Sequence, residues 1–135
     1  MKHQGYLLDT NICISMLKNK YGVREAILRI KPQNCFVSEI TLAELYFGAS
    51  NSNNRDARLK DVAFVINHFR IIEISETLPL YGDLKAELRK KGTPIDDFDL
   101  LIGSAAIANN LVMVTDNIKH LCKLPGIVVE NWTER

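Results

Sequence analysis

The chain has 135 residues, of which 17 are Lys or Arg and 16 are Asp or Glu, so its formal net charge is +1. About half of the residues (47%) are hydrophobic, a composition typical of globular rather than disordered proteins. This charge balance excludes a protein that holds nucleic acid by bulk positive charge, but not an enzyme that contacts a few phosphates. The length predicts a single domain over residues 1–135.

The three cysteines are Cys13, Cys35 and Cys122, and no two of them have CxxC spacing. This odd number predicts reduced, mostly buried thiols and argues against a cysteine-based zinc site. The chain has no signal-peptide pattern, and no apolar run reaches membrane-spanning length. We therefore expect a cytoplasmic protein without a membrane segment.

Short apolar runs alternate with helical patterns in the first half of the chain. Residues 6–8 predict a buried strand, after which Thr10 or Asn11 can cap a helix. A second helix is expected over residues 23–30, and residues 35–37 predict a second strand. Ser38 can cap the helix that continues to Ala49.

The second half continues the alternation. Apolar residues between 59 and 69 recur at helical spacing, and residues 71–74 predict a third strand. Ser75 or Thr77 can cap the next helix, with Pro79 in its first turn. A helix rich in small residues follows Asp99, and strands are expected at residues 111–114 and 127–129. Trp132 is expected to pack against the body of the protein.

This alternation predicts an α/β fold with a central, mostly parallel sheet and helices on both faces. In such sheets ligands bind beyond the carboxyl ends of the strands. Asp9 and Asp116 both follow predicted strands and are therefore expected at that edge.

Four acids are unusual for their surroundings. Asp9 and Asp116 end strands, Glu44 lies within an apolar helix, and Asp99 precedes a run of apolar and small residues. Buried carboxylates are costly without a partner, and no basic residue is adjacent to any of the four. A shared Mg²⁺ or Mn²⁺ would solve this problem, because both ions prefer carboxylate oxygens and keep waters that leave room for a substrate phosphate.

Simpler explanations remain open for individual acids. Asp9 and Asp116 could cap helices or form Asx turns. Asp96 and Asp97 are better explained as residues of a helix's first turn, where negative charge is favoured. Spacing alone does not show that the four acids meet.

Four segments, taken in order, resemble the motifs of the PIN-domain ribonucleases. They are LLDTN at residues 7–11, SEITLAELYFGA at 38–49, DLLIGSAA at 99–106 and VTDN at 114–117. The segment from Pro125 to Trp132 resembles the C-terminus of the VapC toxins of bacterial type II toxin–antitoxin pairs. Relatives often carry Asn at the position of Asp116 and Ala at that of Gly103.

This resemblance implies an α/β/α sandwich and an Mg²⁺- or Mn²⁺-dependent endoribonuclease. It places Asp9, Glu44, Asp99 and Asp116 in the catalytic, metal-binding cluster, with Asp9 and Asp99 as direct ligands. Thr10, Asn11 and Thr115 would be the supporting hydrogen-bond donors. The family further implies structured RNA such as tRNA as substrate, a VapB-like antitoxin as partner, and a homodimer.

The main alternative is a non-catalytic PIN-like or receiver-like module. A receiver would carry paired acids at the end of its first strand, whereas Asp9 stands alone. Glycine-rich nucleotide loops and Ser-His-Asp or Cys-His sets find no support in the sequence.

Several other side chains could contact RNA. Tyr46 and Phe47 could stack on a base, but packing in the core or at a partner interface explains them better. The basic candidates, for most of which a solvated surface is the better explanation, are Lys18, Lys20, Lys85, Arg89, Lys90 and Lys91.

Overall fold

The computed structural model describes residues 3–133. Within that range, five short strands form one sheet, in which every neighbouring pair is parallel. The strands are β1 (Gly5–Leu8), β2 (Cys35–Ser38), β3 (Arg70–Ile72), β4 (Leu111–Val114) and β5 (Val129–Glu130). Their order across the sheet is β3-β2-β1-β4-β5.

Helices connect consecutive strands, as parallel pairing requires. They are α1 (Thr10–Leu17), α2 (Val23–Ile30), α3 (Glu39–Ser50), α4 (Arg55–His68), α5 (Leu78–Lys90), α6 (Asp97–Ala108) and α7 (Ile118–Leu121). Ser38 caps α3 as predicted, since its hydroxyl accepts a hydrogen bond from the Ile40 amide at 3.0 Å.

Two apolar cores cover the two faces of the sheet. Leu7 and Met113 pack in one core with residues of α5 and α6. The next residue of each strand, Leu8 or Val114, packs in the other core with residues of α1, α2 and α4. Successive strand residues point to opposite faces, which explains why the strands are apolar throughout. The predicted three-layer α/β/α fold with a parallel sheet is confirmed.

The carboxyl ends of β1 and β4 form the edge where the site is expected. The chain adds β2 and β3 on one side of β1 and then returns to add β4 and β5 on the other. Such a reversal of strand order opens a crevice beyond the strand ends. The backbone amide of Asp9 donates to the Val114 carbonyl at 2.9 Å, so the residues that follow β1 and β4 are held side by side.

Two local predictions need correction. The last strand is Val129–Glu130, because those residues pair with Met113 and Val114 of β4. Neither Ser75 nor Thr77 caps α5 with its side chain; they form a 3₁₀ turn in which Thr77 is buried.

The cysteines are free and mostly buried, as predicted. Cys13 and Cys35 are buried, and Cys122, directly after the short α7, is exposed. Trp132 does pack against the body of the protein, with its ring centroid 5.4 Å from that of Tyr6. No helix in the described range is long and apolar enough to cross a membrane.

Candidate active site

A polar cavity of about 340 Å³ opens where β1 and β4 end. The structure brings together all four predicted acids there, along with two of the three predicted supporting donors. The lining residues are Asp9, Thr10, Asn11, Glu44, Asp99, Asp116 and Asn117. These residues come from the end of β1, from α1, α3 and α6, and from the loop after β4.

Asp9 is the most buried of the four acids, with 4% of its surface exposed. One carboxylate oxygen accepts a hydrogen bond from the Thr10 amide at 2.8 Å, so Asp9 itself caps α1. The expectation that Thr10 or Asn11 would be the cap was therefore wrong, because α1 begins one residue earlier. The other oxygen accepts from the Thr115 hydroxyl at 2.8 Å.

Glu44 is held by the side chain of Thr10. The Thr10 hydroxyl donates to Glu44 Oε1 at 2.6 Å. Because that hydroxyl has a single proton, it must accept from the Thr41 hydroxyl 3.0 Å away. Thr41 is fully buried, so this chain of hydroxyls orients Glu44 from inside α3.

The positions of Tyr46 and Phe47, two neighbours of Glu44 in α3, were only partly predicted from the sequence. Tyr46 is 47% exposed and Phe47 is 69% exposed. Packing in the core is therefore excluded for both side chains, while a partner interface stays a prediction.

Asp99 lies in the first turn of α6 and is bonded to Asn117. The Asn117 amide nitrogen Nδ2 donates to Asp99 Oδ2 at 3.1 Å. Asp116 is more loosely placed: it is exposed, and Asn11 Nδ2 is 3.5 Å from its Oδ1, a weak hydrogen bond at best. Each predicted supporting donor thus reaches a different acid: Thr115 reaches Asp9, Thr10 reaches Glu44, and Asn11 reaches Asp116.

Asn117 and Thr41 were missed by the sequence-based prediction of the site. Asn117 lines the cavity directly after Asp116, and its place beside a predicted strand-end acid was the available signal. Thr41 gave no comparable signal, because its role depends on contact with the distant Thr10.

The other two acids near α6 behave as helix-start residues. Asp96 caps α6 by accepting from the Phe98 amide at 3.1 Å. Asp97 turns away from the cavity to Lys85, whose ammonium nitrogen is 2.8 Å from its Oδ1. Tyr81 also donates to Asp97, at 3.0 Å. The bonds to Lys85 and Tyr81 lower the pKa of Asp97.

Three acids of the cavity, in contrast, have raised pKa values. Burial raises the pKa of Asp9 to about 6 against the hydrogen bonds from Thr115 and Thr10, and the nearby charges of Asp99 and Glu44 add to the rise. Burial also raises the pKa of Glu44 and of Asp99. None of the ion pairs among the described residues includes a cavity acid. Among residues 3–133, the cavity therefore concentrates negative charge that no ion pair neutralises, although His120 partly offsets the rise in the pKa of Asp99.

This donor set fits a hard divalent cation. No three His, Cys, Asp or Glu side chains between residues 3 and 133 are grouped tightly enough to hold an ion by themselves. Mg²⁺ does not require such a cage, because it usually keeps several waters and binds one or two carboxylates. Carboxylates with raised pKa values and no basic partner are the groups that such an ion would stabilise.

The sequence matches the PIN domain family over residues 6–126. The chain belongs to the PIN-domain family. Ribonuclease VapC2 of Rickettsia felis is 37% identical over 131 residues, which cover 94% of this chain and 97% of that protein. The tRNA(fMet)-specific endonuclease VapC of Salmonella typhimurium is 33% identical over 128 residues, with coverage of 94% and 97%.

Solved structures of PIN-domain relatives agree with the fold. VapBC2 from Rickettsia felis, bound to a promoter DNA fragment, aligns with a TM-score of 0.86 at 35% identity, covering 94% of this chain and 98% of that one. DNA-bound VapBC from Salmonella typhimurium aligns with a TM-score of 0.88 at 32% identity, covering 95% and 98%. The predicted resemblance to PIN-domain ribonucleases of the VapC type is confirmed.

Proposed function

We propose that this PIN-domain protein is a divalent-metal-dependent endoribonuclease and the toxin of a VapBC-type pair. The observation that carries the proposal is the convergence of Asp9, Glu44, Asp99 and Asp116 on one polar cavity. Asp9 and Asp116 are 107 positions apart in the sequence and meet because β1 and β4 are adjacent, while α3 and α6 bring Glu44 and Asp99 to the same cavity. The similarity to VapC ribonucleases supports the same activity.

Asp9 and Asp99 are the proposed metal ligands, and Glu44 and Asp116 would bind directly or through water. When bound, Mg²⁺ or Mn²⁺ supplies a Lewis acid that polarises a phosphate oxygen and lowers the pKa of a coordinated water. The reaction is hydrolysis, in which a water oxygen bonds to phosphorus and the bond to the 3′ oxygen breaks. The products are a 5′-phosphate and a 3′-hydroxyl.

The protein's own contribution is to hold these carboxylates in place before the RNA arrives. Thr115 fixes one oxygen of Asp9 while the Thr10 amide fixes the other. Thr10 also fixes one oxygen of Glu44. Glu44 Oε2 makes no hydrogen bond within the described residues, so it is available to orient a water or accept its proton.

The substrate and partners follow from the relatives. A tRNA is the proposed RNA class, because the Salmonella typhimurium relative is named a tRNA(fMet)-specific endonuclease. A VapB-like antitoxin is the proposed protein partner, because the Rickettsia felis and Salmonella typhimurium structures are VapBC complexes. We also propose a homodimer, to be tested by sedimentation of the purified chain.

The proposal is tested by incubating the antitoxin-free protein with total tRNA and Mn²⁺. We expect cleavage that stops on addition of EDTA and that falls at least about 100-fold in Asp9→Asn and Asp99→Asn, because each change removes a ligand charge while preserving the side-chain shape. Asp97→Asn is the matched control: it neutralises an acid on the same helix that pairs with Lys85 outside the cavity, and it should cleave as the wild type does. Cleavage that persists in EDTA or in either ligand variant would refute the mechanism.

A further inference from the structure

Asn117 connects the two acids proposed to hold the metal. Its side-chain Nδ2 donates to Asp99 Oδ2 at 3.1 Å. Its backbone amide donates to the Thr115 hydroxyl oxygen at 2.9 Å, and that hydroxyl donates to Asp9 Oδ2 at 2.8 Å. One residue thus contacts Asp99 directly and Asp9 through a single hydroxyl.

His120 contacts the other end of the Asn117 amide. Its Nδ1 lies 2.7 Å from Asn117 Oδ1. A carbonyl oxygen has no proton, so the imidazole must donate from Nδ1, whether it is neutral or charged. A flipped amide would put Asn117 Oδ1 against the Asp99 carboxylate, a repulsive contact between two acceptors. Asp99 therefore sets the orientation of the amide, and the hydrogen bond from His120 holds the amide in it.

A second contact sets the separation between α6 and α7. Asp99 and Gly103 are one turn apart on α6, and Asn117 and Leu121 are likewise four residues apart. Leu121 is fully buried, and its Cδ2 would be 3.2 Å from a methyl group at Gly103. The Leu121–Gly103 contact therefore holds α7 close to α6 one turn beyond the Asn117–Asp99 hydrogen bond.

We propose that Asn117 and His120 are a positioning pair: His120 locks the Asn117 amide, which holds Asp99 Oδ2 and leaves Oδ1 for a divalent cation in the cavity. Asp99 Oδ1 makes no hydrogen bond within the part of the chain that the structure describes. This inference rests on the proposed metal-dependent function. Neither residue was among the site residues predicted from the sequence.

The test is Mn²⁺ binding by calorimetry on the full chain, with the unfolding midpoint in EDTA as a measure of folding. Asn117→Ala and His120→Ala should each weaken Mn²⁺ binding about tenfold, the usual effect of losing a partner that orients a metal ligand. Because the side chain of His120 is hydrogen-bonded to Asn117, the double variant should bind no more weakly than Asn117→Ala. The midpoints in EDTA should stay close to that of the wild type.

A conservative variant separates positioning from general packing. In His120→Asn, the side-chain Nδ2 occupies nearly the same place as the imidazole Nδ1, so Mn²⁺ affinity should return to within about threefold of wild type. His68→Ala is the control, because His68 Nδ1 contacts the Phe64 carbonyl on α4. For tRNA cleavage, His120→Ala should lower kcat at limiting Mn²⁺ but not at about ten times more Mn²⁺, with KM for RNA unchanged.

The possible failures are distinguishable. Wild-type affinity in His120→Ala, losses that multiply in the double variant, or failure of His120→Asn to restore binding would each overturn the positioning pair while leaving the ribonuclease proposal intact. A wild-type protein that binds no Mn²⁺ and cleaves no RNA would overturn the proposed function, and the positioning pair with it.

Discussion

At the scale of one residue, the buried charge of Asp9 in the candidate active site lowers the stability of the folded protein. The residue is 4% exposed, and burial raises the pKa of its carboxyl group to about 6 from an ordinary value of 3.8. Two hydrogen bonds, from the Thr10 amide and the Thr115 hydroxyl, recover part of the cost of the charge. A group that is costly to ionise in the folded protein is expected to be kept for function rather than stability.

The pH dependence of stability follows from this shift. Between pH 3.8 and about 6, Asp9 binds its proton more tightly in the folded than in the unfolded chain. The free energy of unfolding should therefore fall as pH rises through this window, by about 3 kcal/mol at most for this group, and level off above it. Glu44 and Asp99, whose pKa values are also raised, act in the same direction.

Asp9→Asn tests this account without reference to activity. In EDTA at pH 7.5 the variant should be more stable than wild type by about 1–2 kcal/mol, because Asn can still cap α1 but carries no buried charge. At pH 4.5 the difference should largely disappear, because Asp9 is then already neutral in the folded protein. Urea unfolding at the two pH values measures both quantities. A variant less stable than wild type at pH 7.5 would show that the Asp9 charge is favourably compensated.

The four acids could be predicted from the sequence for a physical reason that does not extend to their partners. A carboxylate at the end of an apolar strand or inside an apolar helix is costly to bury. It stands out among apolar neighbours and can therefore be recognised in a single sequence. Asn117 and Thr41 are ordinary residues for a turn and a helix. Their importance depends on hydrogen bonds to Asp99 and Thr10, which are distant in the sequence.

At the scale of elements, Gly103 of α6 leaves room for leucine side chains from α7 and the segment after it. A methyl group at Gly103 would lie 2.5 Å from Leu124 Cδ1 and 3.2 Å from Leu121 Cδ2. The space around Gly103 is thus occupied by α7 and the segment after it rather than by the sheet. The positions of the strands could be predicted from the apolar runs. The α5 cap and the bounds of β5 were predicted wrongly, because both depend on the tertiary structure.

Two glycines in helices provide a matched test of this packing. Gly82 in α5 has no atom within 4 Å of an added methyl group, so Gly82→Ala should stabilise the protein by about 0.5–1 kcal/mol through helix propensity. Gly103→Ala gains the same propensity but must displace the buried Leu124, which costs about 1–3 kcal/mol. Thermal unfolding should place Gly103→Ala at least about 1 kcal/mol below Gly82→Ala. Equal stabilisation by both changes would mean that α7 is loosely packed on α6.

At the scale of the whole molecule, charge is nearly balanced and apolar side chains are unevenly distributed. Leu28 is 72% exposed, Phe47 is 69% exposed, and Phe64 is 41% exposed. A separate, mainly apolar groove of about 520 Å³ lies among α1, α2 and α4, and none of the four acids of the candidate active site lines it. Exposed apolar surface of this kind is typical of proteins that bind other proteins, in agreement with the proposed antitoxin partner.

The nearly balanced charge predicts how strongly RNA binding depends on salt. The net charge is +1, and two of the six basic candidates for RNA contact, Lys85 and Lys91, are engaged by Asp97 and Glu87. Four of those candidates are then left to contact phosphates. Binding of tRNA by the Asp99→Asn variant should therefore weaken by no more than about 60-fold between 50 and 200 mM salt, a log–log slope of about −3 or shallower. A slope near −6 would instead indicate an extensive electrostatic interface with the RNA backbone.

The central claim is that the cavity carboxylates hold a divalent ion, and calorimetric titration of the antitoxin-free protein with Mn²⁺ tests it most directly. The account predicts saturable binding by wild type and by Asp97→Asn, and binding weakened at least about tenfold by Asp9→Asn and by Asp99→Asn. The absence of any millimolar-range binding, or equal binding by all four proteins, would contradict it. That result would favour a PIN-domain module that has the fold but no catalytic metal centre.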